Sequence, residues 1–190
     1  MNIRDYWKKQ WVKNLIFFSL MAVFFFTGFP KWVNIQFTRL NLESPDEIVK
    51  IEPSQPSLYD HQILIENHEG EQIQLSDFEG GAVFISLWAS WCVPCIAEFS
   101  SLEVLAKEIP DISIVALNIE DQETFNSFLD KNDYNLPFYL LRTPLPSQLN
   151  APAIPATFIL NEEGKVIFKH FGAVDWSSES TIAKLNKILI

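Results

Sequence analysis

The chain has 190 residues, 48% of them hydrophobic, with 16 Phe and 6 Trp, which is enough for one packed domain and little more. Its formal net charge is −10 and uneven: residues 1–39 carry six basic residues (Arg4, Lys8, Lys9, Lys13, Lys31, Arg39) against one acid, Asp5, so the remainder is strongly acidic. Such a domain lacks the clustered Lys and Arg that phosphate backbones require, so nucleic acid is excluded as a partner. Two cysteines are too few for a disulfide-stapled fold.

Residues 15–29 (LIFFSLMAVFFFTGF) are apolar except for Ser19 and Thr27. At about 1.5 Å per residue this run falls short of a hydrocarbon core of about 30 Å. Trp11, Val12, Trp32 and Val33 extend it, Lys13 and Lys31 can snorkel to headgroups, and Trp7, Trp11 and Trp32 suit the interfaces. The sequence therefore predicts a cytoplasmic basic N-terminus over 1–13 and a transmembrane signal anchor over 14–33, with the following domain facing the periplasm or cell exterior. A cleaved signal is disfavoured, because Leu20 stands two before Ala22 and Phe26 two before Gly28, where small residues are needed. Residues 34–58, rich in Pro, Ser, Asp and Glu, read as an extended linker.

The domain predicted over 59–190 opens with a β-hairpin, 62–66 and 72–75 around the turn residues 67–70. Residues 82–87 (AVFISL) and 112–119 (ISIVALNI) have the continuous apolar character of buried strands. Helices are predicted over 93–107 and 122–131, the second with Phe125, Phe128 and Leu129 on one face. A short strand over 138–141, a second hairpin (156–160 and 165–170) and a helix over 178–189, with Ile182, Leu185 and Ile188 inward, complete a mixed α/β sheet covered by helices on both faces.

The chemistry lies in Trp88-Ala89-Ser90-Trp91-Cys92-Val93-Pro94-Cys95, at a strand end and opening a helix. Two intervening residues on a first helical turn bring two sulfurs within bonding reach. The first sits where unpaired helix N–H groups favour negative charge, so Cys92 is assigned as nucleophile and the more buried Cys95 as resolving thiol. Pro94 is tolerated in a first turn. A zinc site needs two further Cys or His ligands, and His61, His68 and His170 lack ligand spacing. A disulfide closing so small a loop stabilises little. Neither metal nor organic cofactor is expected beyond the cysteine pair.

These residues resemble the thioredoxin superfamily, specifically the TlpA/ResA-type membrane-anchored thiol–disulfide oxidoreductases of bacteria, over roughly residues 59–190. The resemblance rests on LSDFEGGAVFISLWASWCVPC and on the segment from Ala151 through Pro155-Ala156-Thr157-Phe158 to Asn161-Glu162-Glu163-Gly164. It implies a thioredoxin-like fold, with Pro155 cis and beside the cysteines. Trp91, Val93, Pro94, Ile154 and Pro155 would then meet the substrate, which pairs as an added strand at Ile154. Thioredoxin carries a buried Asp where Ser86 stands here. The anchored branch instead tends to carry an acid three residues beyond the second cysteine, where Glu98 stands, and Glu98 is expected to take the proton of Cys95. Trp88, Phe125 and Phe128 are read as core and Trp91 as groove. The resemblance further implies a reductant of protein disulfides, with the cysteine pair of apocytochrome c as one substrate, recharged by a membrane electron donor protein. The rival readings are a thiol peroxidase of the same fold, which usually has a distant resolving Cys, and a non-enzymatic tethered peptide-binding module.

Overall fold

Ile3–Phe26 (α1) and Phe29–Leu40 (α2) are helical. The computed structural model describes residues 3–26, 29–45, 48–52 and 55–189. Residues 1, 2, 27, 28, 46, 47, 53, 54 and 190, and the side chains of residues 3–9, 25, 26 and 29, lie outside that description, and with them the expected places of Arg4, Trp7, Lys8, Lys9 and Thr27. On α1, Trp11, Val12, Leu15, Ile16, Phe17, Phe18 and Leu20 are exposed. Among the described residues no helix is long and apolar enough to cross a membrane. The expected span over 14–33 runs across residues 27 and 28, outside the described residues, with helix on either side of them.

The linker expectation also changes. Helix α2 occupies its first residues and packs on the domain through Ile35, while Arg39 Nη2 donates to Tyr134 Oη at 3.5 Å. The chain after it is docked rather than free. Asp175 N donates to Glu43 O (2.9 Å), Ser44 Oγ to Ser178 Oγ (2.8 Å), Lys184 Nζ to Pro45 O (2.9 Å) and Ile51 N to Ile167 O (2.6 Å). Composition predicted an extended linker, and within it Pro45 is buried and Ile48 packs against the core.

The strands are β1 (Leu64–Asn67), β2 (Gln72–Gln74), β3 (Ala82–Trp88), β4 (Ile112–Asn118), β5 (Phe138–Leu141), β6 (Ala156–Leu160) and β7 (Val166–Phe171). They form one sheet in the order β2-β1-β5-β4-β3-β6-β7. Pairs β3–β4 and β4–β5 are parallel and the others antiparallel, so the sheet is mixed. The continuous apolar runs of β3 and β4 follow from their central place, buried on both faces.

Helices α3 (Val93–Glu108), α4 (Gln122–Leu129) and α5 (Glu179–Leu189) all contribute to the core on one face, through residues such as Phe99, Phe125, Phe128, Leu185 and Ile188. The opposite core, around Val83, Ile85, Leu117 and Phe158, is closed instead by three short 3-10 turns at 58–60, 75–78 and 147–149. This corrects the expectation of helices on both faces. The segment that would supply a helix there carries Pro144, Pro146 and Pro152, which deny it regular helical bonds. The aromatic run inferred from sequence is core: Trp88 is fully buried, its ring 5.2 Å from Phe99, 4.9 Å from Phe128 and 5.3 Å from Phe138.

Gly164 turns the β6–β7 hairpin at φ +73°, and a Cβ there would stand 2.5 Å from the Tyr59 ring. Gly164→Ala is therefore expected to destabilise the domain by about 2 kcal/mol, through strain at positive φ and this overlap. Thermal unfolding should show a midpoint lower by several degrees, against no change for a substitution on the exposed face of α3.

Candidate redox site

Strand β3 ends at Trp88 and delivers the chain into a tight turn, in which Cys92 N donates to Ala89 O at 3.0 Å. Cys92 is the N-cap of α3: its Sγ accepts from Cys95 N at 3.2 Å, and its carbonyl accepts from Ile96 N at 3.1 Å. The sulfur thus occupies a place where helix N–H groups are otherwise unpaired and favour negative charge. Cys92 and Cys95 form a disulfide, S–S 2.07 Å with Cα atoms 5.3 Å apart. Cys92 is 3% exposed and Cys95 is fully buried, so a partner reaches the first sulfur more readily. Beside them Trp91 is 67% exposed, Pro94 is exposed and Val93 half-buried.

The Ile154–Pro155 peptide is cis. Register places it at the same end of the sheet: Leu87 pairs with Ala156, the residue after Pro155, while Trp88 leads into the cysteine turn. Pro155 is buried, and the half-buried Ile154 packs against the core cluster that contains both cysteines. The structure therefore gathers Trp91, Val93, Pro94, Ile154 and Pro155 around one end of β3.

Glu98 lies one turn beyond Cys95 on α3 and is fully buried, deeper than the partial burial expected from sequence. Its Oε1 accepts from Val174 N at 3.3 Å and from Trp176 Nε1. Its Oε2 is buried without a hydrogen-bond partner. Burial pushes the carboxyl from its ordinary 4.5 up to about 8, outweighing the lowering by the Trp176 and Val174 bonds. The group is thus mostly neutral near pH 7, one turn from the resolving cysteine. Ser86, where thioredoxin carries its acid, is fully buried opposite Thr157, and neither hydroxyl has a hydrogen-bond partner.

Sequence reading missed the residues that hold this acid and those that hold the cysteine turn. Trp176 comes from the β7–α5 connection, and its only early signal is an indole in an otherwise polar stretch, Asp175 to Ser178. Ser90 is bound on all sides. Its N–H donates to Glu120 Oε2 (2.5 Å), its Oγ to Glu120 Oε1 (3.0 Å), and its carbonyl accepts from Lys31 Nζ (3.0 Å). Asn118 is the only polar residue at the end of an apolar strand, and it is the signal that could have found this network. Asn118 is fully buried, donates to Glu120 Oε2 (3.1 Å) and accepts from Glu120 N (2.7 Å). Lys31 was expected at headgroups and instead reaches the cysteine turn. Among the described residues no group of three or more His, Cys, Asp or Glu side chains is placed to hold a metal ion.

A mixed sheet, a helix opening on a disulfide and a cis-proline at the same sheet end define a thioredoxin-like protein. Residues 53–189 match the Redoxin family, and the chain belongs to it. It is 31% identical over 110 residues to the thioredoxin-like protein YneN of Bacillus subtilis, covering 55% of this chain and 65% of that protein. It is 32% identical over 108 residues to the thiol-disulfide oxidoreductase ResA of the same organism, covering 55% and 60%. The chain thus spans less than two thirds of the length of these relatives. Among solved structures, the exposed lipoprotein thioredoxin Etrx1 of Streptococcus pneumoniae superposes with TM-score 0.58 at 24% identity, covering 65% of this chain and 96% of that one. That likeness shows the fold.

Proposed function

We propose that this chain is an extracytoplasmic thiol–disulfide oxidoreductase that reduces protein disulfides through Cys92. The observation that carries the reading is the Cys92–Cys95 disulfide on the first turn of α3, with Cys92 Sγ accepting the Cys95 N–H. In the reduced form the Cys92 thiolate attacks a partner disulfide. A Cys92–partner bond forms, the partner S–S bond breaks, and one partner sulfur leaves as a thiolate. Cys95 gives its proton to the ionised fraction of Glu98, which grows as pH rises toward 8, and attacks Cys92 Sγ. The internal disulfide then forms, and the second partner sulfur is released. Two electrons pass to the partner, and a dithiol donor in the membrane restores the pair. No other cofactor is needed. Ile154 offers its backbone to the partner as an added strand, and Trp91, Val93, Pro94 and Pro155 border the contact.

The cysteine pair of an apocytochrome c is the substrate proposed, on the strength of the resemblance to ResA-type proteins. Anchoring in the inner membrane through the N-terminal segment is supported by the exposed apolar side chains of α1 and the basic residues before them. The test is trapping with Cys95→Ala, in which the mixed disulfide on Cys92 cannot resolve. A thiol-reversible adduct with apocytochrome c is expected. Adducts with many unrelated envelope proteins would replace that substrate with a general one, and no adduct at all would remove the reductase reading.

A further inference from the structure

The residue that closes the cysteine turn from above lies outside the Redoxin match, which begins at residue 53. Lys31, in the first turns of α2, donates to the Ser90 carbonyl, and Ile35 on the same helix packs against the core that contains Cys92. From the other side Glu120 takes both the N–H and the hydroxyl of Ser90, and Asn118 in turn holds Glu120. Ser90, two residues before Cys92, is thereby held by a carboxylate at the peptide that precedes it and by an ammonium at the peptide that follows it.

We propose that Lys31 is a positioning residue of the redox centre: with Glu120 it fixes the turn before Cys92, and the two opposed charges set how readily Cys92 ionises. The ammonium favours the thiolate and the carboxylate disfavours it. The other charged groups around the turn are Glu123, Lys131, Asp133 and Arg39, which share a groove with Lys31 and Ser90, and Glu98, buried one turn beyond Cys95. The cis-proline segment 151–155 carries no charge. Lys31 is the cation that bonds this turn directly, whereas Arg39 and Lys131 only line the same groove, so its loss removes the charge that most directly opposes Glu120.

The inference rests on Cys92 being the attacking thiol, and the experiment separates the two. The rate of Cys92 alkylation by iodoacetamide is followed against pH in the full reduced chain carrying Cys95→Ala, with and without further changes. Lys31→Met is expected to raise the Cys92 pKa by about half a unit. Glu120→Gln should lower it by a similar amount, the double variant should return close to the starting value, and Lys31→Arg should preserve it. A brace without electrostatic effect would move Lys31→Met and Glu120→Gln in the same direction, and that result, or no shift in Lys31→Met, overturns the proposal. An ordinary, alkaline Cys92 before any of these changes would instead overturn the assignment of Cys92 as nucleophile. Glu120→Gln makes no change in α2, so its shift is read independently of how that helix docks.

Discussion

Cys92→Ser is expected to lower the rate of protein-disulfide reduction at least about a thousandfold, to the level without protein, because a serine hydroxyl is neither ionised at neutral pH nor able to form the mixed disulfide. The fold should be kept, since the substitution removes one buried sulfur and a short-loop disulfide that contributes little to stability. The measurement is reduction of a disulfide substrate under a dithiol donor, with circular dichroism as the control for folding. Residual turnover above a few per cent would show that Cys95 or another group can start the exchange, and the assignment of roles on α3 would have to be reversed.

The second large effect belongs to Glu98. Its folded pKa is about 8 against 4.5 for an ordinary glutamate, and burial is the cause. Between these values the folded chain retains a proton that the unfolded chain has lost. Stability is thus fully present below about 4.5 and falls as pH rises toward 8, by about 1.4 kcal/mol per pH unit across that window. Glu98→Gln cannot ionise, still offers an oxygen to Trp176 and Val174, and should flatten this dependence. Denaturant unfolding at pH 5 and pH 8 checks it: the wild-type stability difference should be several-fold larger than that of the variant. The same substitution should slow resolution of the mixed disulfide at pH 7 by about a hundredfold, the usual scale for loss of a positioned acid–base group. It should also remove an inflection near pH 8 from that step. A variant with unaltered resolution but flattened stability would confine Glu98 to a structural part.

Much of this was legible before any coordinates. The hairpin at β1–β2, the apolar runs that became β3 and β4, and the Phe125/Phe128 face of α4 are local patterns, set by burial period and turn residues. The cysteine motif was legible for the same reason, since its spacing and the helix it opens are written within eight residues. What escaped depends on distant parts of the chain meeting. The Trp176–Glu98 bond joins residues 78 apart and the Lys31–Ser90 bond residues 59 apart. No periodicity announces either one. The acidic, proline-containing stretch after α2 has a composition that suits both a free chain and one stitched to a surface by backbone bonds.

That stitched stretch has a mechanical consequence. A free segment of the length expected from composition would let the domain roam over a radius of about 25–30 Å, on the scale of a Gly/Ser-rich leash. Bonds from Glu43, Ser44, Pro45 and Ile51 to α5, β7 and the loop between them remove that leash, and Lys31 ties the helix before it to the cysteine turn. Helix α2 and the domain therefore turn as one body, so the direction in which α2 lies also fixes the direction in which the cysteine turn faces.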